Sequence, residues 1–230
     1  FAKPPPLRPC TAPDPGAAVA DELLATDGRV IGERATATRQ RLLDATLELL
    51  RRDGILDLKV VDITREAGAA PATFYQYFSD LDAAILALAE AAIDDEAPLV
   101  QHLEQPWTSA EHVDMARAFV DAYGDYWNDH YPVLILRNLK ADGGDVDFRS
   151  VRSRANLLLL RRMADMVTAA QESNRAHGTL DPFATAAAMI SMLDRLFSYR
   201  NELRRRGISS AAQRETLSII LFQTLSGVHL

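Results

Sequence analysis

The sequence predicts an all-α protein of about nine helices, and three observations support this prediction. From Thr38 onward, apolar residues recur at intervals of three and four, and the alternation typical of strands is missing. Glycine follows several of these apolar stretches, where it commonly ends a helix. Aspartate, serine or proline precedes several others, where these residues commonly begin a helix.

Residues 1–30 are predicted to form a proline-rich, disordered arm. Six of the eleven prolines lie within the first fifteen residues, and no helical period is visible at the start of the chain. The arm contains Cys10, the only cysteine of the chain. An internal disulfide and a multi-cysteine metal site are therefore excluded.

Residues 31–82 are predicted to form a small helical head that continues into a fourth helix. Gly54 ends the first helix and Gly68 ends the second. Ser79 and Asp82 have the spacing of a capping box at the start of the fourth. The predicted helices cover residues 38–53, 60–67, 71–77 and 79–97.

Residues 83–230 are predicted to form a larger helical body. Asp181 and Pro182 provide a capping side chain followed by proline at the first helical position. Ser210 and Gln213 form a second capping box. Pro132 lies near the start of a further helix, as proline commonly does. The predicted helices cover residues 109–130, 131–140, 148–175, 182–206 and 210–226.

The second and third helices have the proportions of a helix-turn-helix. Gly68 permits the positive φ that reverses the chain between them. Phe74 and Phe78 are four residues apart and are predicted to anchor the third helix in the core. One apolar face of the second helix is formed by Val60, Ile63 and Ala67.

In its order and spacing, this segment resembles the DNA-binding head of the TetR family of bacterial transcription regulators. The Thr-Phe-Tyr-x-Tyr-Phe run also resembles the ethionamide-regulator-like branch of that family. The residues that carry the resemblance are Arg39-x-x-Leu42-Leu43-x-Ala45, Gly54, Val60-x-x-Ile63-x-x-x-Ala67-Gly68 and Thr73-Phe74-Tyr75-x-Tyr77-Phe78.

The resemblance implies a homodimeric regulator, most often a repressor, whose two recognition helices enter successive major grooves of a palindromic operator. Thr73, Tyr75 and Tyr77 match family positions that contact phosphates or base edges, and hydroxyls can donate to phosphate oxygens without adding charge. Gln76 is chemically suited to adenine. Pro71 and Ala72 are suited to the methyl group of thymine.

The predicted head is not basic. Between residues 29 and 82, eight cations are offset by nine acids, and the whole chain carries a net charge of −7. This balance argues against a general nucleic-acid binder coated in positive charge. Phosphate contact is therefore predicted to depend on a few cations, namely Arg39, Arg41, Lys59 and Arg65.

Three residues depart from the family pattern. Ala70 stands where family members usually have serine or threonine, Leu81 stands where they often have lysine, and Lys59 enters the second helix in place of a serine or threonine cap. The missing lysine at Leu81 and the acidic balance of the head support an alternative, a small-molecule-binding helical protein whose DNA affinity is weak or lost.

The helix at 109–130 is apolar around most of its circumference, which indicates that other helices surround it. In the family's architecture such a helix lines a ligand cavity, and methionine and aromatic side chains suit an adaptable apolar pocket. The alternative is that these residues are simply core. The candidates for contact with a small apolar effector are Phe119, Tyr123, Trp127, Asn138, Met163, Met166 and Phe197.

Apolar stripes on the last two helices are predicted to form the homodimer interface, as the resemblance implies. The alternative is that they pack only within one chain. The chain shows no nucleophile motif, phosphate loop or dinucleotide fingerprint, so neither an enzyme nor a cofactor is expected. No metal site is expected, and no apolar run is long enough for a membrane span. The sequence therefore predicts a cytoplasmic protein.

Overall fold

The computed structural model describes residues 32–54 and 58–230, and all secondary structure within those ranges is helical. The predicted arm lies outside the described residues. Two 3-10 helices, Ala97–Leu103 and Ala110–His112, join α4 to α5. The nine α-helices are α1 Glu33–Asp53, α2 Val60–Glu66, α3 Pro71–Tyr77, α4 Leu81–Glu96, α5 Val113–Asp142, α6 Val146–Glu172, α7 Pro182–Ser198, α8 Arg200–Arg205 and α9 Ser210–Ser226. This confirms the predicted all-α fold.

The caps of two helices differ by one residue from the prediction. Asp80 caps α4, because its Oδ1 accepts a hydrogen bond of 2.8 Å from the Ala83 amide. Ser79 instead donates its hydroxyl to Asp80. A carboxylate at this position also interacts favourably with the helix dipole. Likewise, Ser209 rather than Ser210 caps α9.

Two helix boundaries in the body were predicted wrongly. Pro132 does not separate two helices but lies within the 30-residue α5. The missing amide hydrogen of proline weakens a helix, yet Val133 and Leu134 are buried on the following turn and hold it in place. Conversely, the predicted helix 182–206 is divided at Tyr199 into α7 and α8.

A bridging cluster of apolar residues joins the head to the body. It combines α1, α4, α5 and α6, so no cleft separates the two parts at this point. Residue 82, the predicted boundary, falls in the first turn of α4, which packs on both sides. The buried members of the bridging cluster are Leu50, Ile85, Ala89, Val133, Leu136, Ala141, Phe148 and Val151. None of the helices in the described ranges is long and apolar enough to span a bilayer.

Candidate nucleic-acid interface and ligand site

The turn between α2 and α3 is closed by main-chain hydrogen bonds. Gly68 has φ of 63°, a left-handed conformation that glycine adopts without a steric penalty. Its amide donates to the Arg65 carbonyl at 3.2 Å, and the Ala69 amide donates to the Thr64 carbonyl at 2.8 Å. The predicted role of Gly68 is confirmed, and the turn fixes the direction in which α3 leaves α2.

The third helix is held by two phenylalanines and exposes its opposite face. Phe74 is fully buried, and its ring lies 5.4 Å from that of Phe78. Ala72, Tyr75 and Gln76 are exposed and share a face by their helical spacing, with 54 % of Tyr75 accessible. Pro71 is also exposed, whereas Thr73 and Tyr77 are half-buried at the edges of this face.

Two of the predicted phosphate-binding cations lie on α1. The Arg39 guanidinium lies 5.1 Å from the centroid of the Phe78 ring, beside the end of α3. Its partial burial lowers the pKa of Arg39 below the ordinary value, and the Glu90 carboxylate opposes this effect. Arg41 is exposed and donates to the Thr38 hydroxyl at 3.1 Å. Arg39 therefore borders α3 through its packing.

The other two cations, Lys59 and Arg65, lie at the N-terminus of α2 and within it, and both are exposed. Lys59 is the residue before the first turn of α2 and makes no capping hydrogen bond with its side chain. Arg65 pairs with Asp62 on the same helix at 2.8 Å. An exposed ion pair of this kind contributes only about 0–1 kcal/mol, so the Arg65 guanidinium can change partner at small cost.

In the body, Asp194 of α7 is held by two buried aromatic residues of α5. The Tyr123 hydroxyl donates to Asp194 Oδ1 at 2.6 Å, and the Trp127 indole nitrogen donates to the same oxygen at 3.2 Å. Burial and the Asp194 carboxylate raise the pKa of Tyr123 well above its ordinary value, so its hydroxyl remains a donor. The carboxylate is thus fixed through one of its two oxygens.

Asp194 also lines a cleft of about 580 Å³ between α5, α6 and α7. Within this cleft Arg152 is paired with Asp142 at 2.7 Å. The Arg195 guanidinium lies 3.9 Å from the centroid of the Tyr199 ring. Eight of the ten lining residues have polar side chains; the ten are Ile135, Asn138, Leu139, Asp142, Arg152, Asn156, Ser191, Asp194, Arg195 and Ser198.

Two oppositely charged side chains are buried near Asp194. Glu96, the last residue of α4, is 2 % exposed, and Arg137 of α5 is 1 % exposed. Glu96 Oε2 and Arg137 Nη1 have no hydrogen-bond partner within the described ranges. Burial raises the pKa of Glu96 to about 7; the Arg137 charge opposes the rise, and the Asp194 charge adds to it. Arg137 Nε donates to Asn138 Oδ1 at 3.2 Å, which connects this buried pair to the cleft.

Two family models match the chain. The model of bacterial regulatory proteins of the tetR family matches residues 42–88. The model of the tetracyclin repressor-like C-terminal domain matches residues 99–229, which is more than half of the chain. The protein belongs to the TetR family. It is therefore a transcriptional regulator with an N-terminal DNA-binding domain and a C-terminal ligand-binding domain.

Solved structures with the TetR-family fold cover most of this chain at low identity. FadR from Bacillus subtilis in complex with stearoyl-CoA is 15 % identical, with 83 % of this chain and 99 % of that chain covered and a TM-score of 0.59. A protein with unknown function from Rhodococcus sp. RHA1 is 23 % identical, with 82 % and 95 % covered and a TM-score of 0.61. The multidrug binding protein EbrR complexed with imidazole is 18 % identical, with 85 % and 96 % covered and a TM-score of 0.57. None of the curated proteins matches.

The structure of this TetR-family regulator places the predicted ligand residues in two environments. Phe119, Tyr123, Trp127, Met163, Met166 and Phe197 all belong to the buried core of the body. Met166 also borders a small cavity of about 60 Å³. Asn138 lies apart from them and lines the larger cleft. Two of the buried residues, Tyr123 and Trp127, are connected to the cleft because both donate hydrogen bonds to Asp194, which lines it.

The sequence prediction did not include four polar residues of the body, namely Glu96, Arg137, Asn156 and Asp194. Two of them carry a signal in the sequence. Asp194 is the only charged residue in the stretch 182–194, and Arg137 is the only charged residue in the stretch 131–139. Glu96 carries no such signal, since it follows Asp94 and Asp95. For residues 32–54 and 58–230, no group of three or more His, Cys, Asp or Glu side chains is arranged to hold a metal ion.

Proposed function

We propose that this regulator is a homodimeric repressor that binds a palindromic operator and dissociates when a small effector binds to the body. The observation that carries the proposal is the exposed face of α3, formed by Ala72, Tyr75 and Gln76 on a helix anchored by buried Phe74. Because the family is one of regulators, no catalytic role is proposed. Its site of action is the cytoplasm, where bacterial DNA is found.

On the operator, α3 lies in the major groove. The Thr73, Tyr75 and Tyr77 hydroxyls donate to phosphate oxygens or base edges. Gln76 pairs with adenine through its amide, and Pro71 and Ala72 contact a thymine methyl group. The exposed cations Arg41, Lys59 and Arg65 contact phosphates at the edges of the groove, and half-buried Arg39 supports the end of α3.

The dimer forms through the outer surfaces of α7 and α9. Most of the apolar stripe residues on these helices are buried within the chain itself, among them Ile190, Leu193 and Leu221. Large apolar side chains remain at the surface, where 49 % of Phe183 and 39 % of Ile220 are exposed. Burial of such residues between two copies supports a four-helix interface.

Effector binding is transmitted to the head by the bridging cluster. A shift of α5 or α6 must displace α4 and α1, because their side chains interlock in that cluster. Lys140 of α5 also pairs with Asp82 of α4. Movement of the two heads breaks their match to major grooves about 34–36 Å apart, and the repressor dissociates.

Operator binding is tested by fluorescence polarisation with DNA from upstream of the protein's own and neighbouring genes. The purified dimer is expected to bind one such fragment at modest salt. Replacing Tyr75 and Tyr77 together by phenylalanine removes two hydroxyl donors and is expected to weaken binding at least about tenfold. Tyr199→Phe, a matched change in the body, is expected to leave affinity unchanged.

A folded dimer that binds none of these fragments would contradict the proposal. So would a double variant that binds as tightly as the unaltered protein. Either result would favour the alternative, a small-molecule-binding protein whose head has lost useful DNA affinity.

A further inference from the structure

We propose that the cleft between α5, α6 and α7 binds an effector that carries a positively charged amine, and that Asp194 receives this amine. The inference rests on the proposed function, because it defines the effector to which the repressor responds. It differs from the apolar effector predicted from the sequence. The cleft volume of about 580 Å³ is within the range of small-molecule sites.

The first support is the way in which Asp194 is held. Its Oδ1 accepts hydrogen bonds from both Tyr123 and Trp127. Its Oδ2 accepts no hydrogen bond from a described residue, and the side chain lines the cleft. A carboxylate that is fixed through one oxygen and offers the other is preorganised to accept from a ligand, so little ordering cost arises on binding.

The second support is that the two cations of the cleft already have partners. Arg152 is paired with Asp142. The Arg195 guanidinium covers the Tyr199 ring and donates to its hydroxyl. Among the described residues, neither arginine forms an ion pair with Asp194, so its carboxylate stays open to a cationic ligand.

The third support is a second unpartnered acceptor on the opposite wall. Asn156 of α6 lines the cleft, and its buried Oδ1 has no partner in residues 32–54 and 58–230. A buried acceptor without a donor destabilises the folded protein unless a ligand supplies the donor. A ligand with several N–H donors can satisfy both Asp194 and Asn156, and an ammonium group carries three such donors.

The fourth support is a buried polar connection between the cleft and α4. Asn138 lines the cleft and accepts a hydrogen bond of 3.2 Å from Arg137 Nε. Arg137 and Glu96, the last residue of α4, are both buried, and the Glu96 carboxyl interacts with the charges of Arg137 and Asp194. The site therefore connects the effector's charge with the helix that contacts the head.

The proposal is tested with three amines that carry phenylethyl, indolylethyl or octyl groups, each compared with the alcohol of the same carbon skeleton. Binding to the full chain is measured by isothermal titration calorimetry at pH 7. At least one amine is expected to bind ten times more tightly than its alcohol. In Asp194→Asn this preference is expected to disappear, although asparagine Oδ1 can still accept from Tyr123 and Trp127.

A second variant tests the positioning of the carboxylate. Tyr123→Phe keeps the ring but removes the donor that fixes Asp194, so the preference for the amine is expected to persist with affinity reduced severalfold. Asp165→Asn, which changes an exposed acid of α6 outside the cleft, is the matched control and is expected to bind like the unaltered chain. Thermal melting of each variant confirms that it folds.

Equal binding of amines and alcohols, or no binding of either, would overturn the amine assignment. The same holds if Asp194→Asn keeps the full preference. Operator binding is measured in parallel with the same preparations. If operator DNA is bound while amines are not, only this inference fails. If amines bind through Asp194 but no operator is bound, the proposed repressor function fails and the ligand site stands.

Discussion

Arg51, near the end of α1, donates a hydrogen bond of 2.6 Å to the main-chain carbonyl of Asp129 in α5. The contact joins the head to the body beside the bridging cluster. It does not depend on the side chain of Asp129, because the acceptor belongs to the main chain. The two parts are therefore connected by polar as well as apolar interactions.

Removal of this hydrogen bond by Arg51→Ala is expected to lower the free energy of unfolding by about 1 kcal/mol. The measurement is urea denaturation followed by circular dichroism. The control is Arg52→Ala, since Arg52 pairs with Asp53 and Glu66 inside the head. Its exposed ion pairs are expected to contribute less. Equal losses of unfolding free energy in the two variants would contradict the contribution expected of the contact between head and body.

The buried carboxyl of Glu96 predicts a dependence of stability on pH. Its pKa is raised from 4.5 to about 7 on folding, so the folded protein holds this proton more tightly than the unfolded chain. The associated stability is fully present below pH 4.5 and is lost as the pH rises to about 7. The loss is at most about 3 kcal/mol.

Glu96→Gln keeps the shape of the protonated side chain but does not titrate. Urea denaturation at pH 5 and pH 8 measures the free energy of unfolding of the variant and of the unaltered protein. Between pH 5 and pH 8 the unaltered protein is expected to lose stability relative to the variant. Glu90→Gln, an exposed position on α4, is the control and should show no such change. Parallel pH profiles for the Glu96 variant and the unaltered protein would refute the prediction.

Two glycines with similar positive φ are expected to respond differently to alanine. Gly68 has φ of 63° and Gly227 has φ of 68°. A Cβ on Gly68 would meet nothing within 4 Å, whereas one on Gly227 would lie 2.5 Å from the main chain of Arg175. Gly68→Ala should therefore cost about 1 kcal/mol of unfolding free energy. Gly227→Ala should cost about 2 kcal/mol or more, because backbone must also move. Equal denaturation midpoints would contradict this difference.

The phosphate contact proposed for Arg65 predicts a change in the salt dependence of operator binding. Arg65→Gln removes one phosphate contact from each protomer of the proposed dimer. The slope of the logarithm of the binding constant against the logarithm of salt concentration should become shallower by about 2. Arg161→Gln, on the exposed surface of α6, should leave the slope unchanged. An unaltered slope for the Arg65 variant would remove it from the interface.

The head could be predicted closely from the sequence because its signals are local. Gly68 determines the turn, Pro71 begins α3, and the spacing of Phe74 and Phe78 defines the buried side. The body was predicted less well where tertiary contacts decide the outcome. Pro132 lies inside α5 because the surrounding packing outweighs its local preference.

The candidate ligand site shows the same limit. The aromatic residues of α5 were recognised from their helical spacing, but their partner Asp194 follows Tyr123 by 71 residues. Only the packing of α7 against α5 reveals that contact. The burial of Glu96 is likewise a property of the assembled helices, since this residue follows two further acids along the chain.

The near-neutral charge of the head affects how the regulator is distributed in the cell. A chromosome presents about 10⁶–10⁹ non-specific sites, and their attraction for a protein is almost wholly electrostatic. Because eight cations are offset by nine acids between residues 29 and 82, the head gains little from random sequence. Few molecules are then bound to bulk DNA, so a small number of copies is sufficient to occupy one operator. The response to an effector then depends on dissociation from that operator, because few non-specifically bound molecules are present to replace the one that leaves.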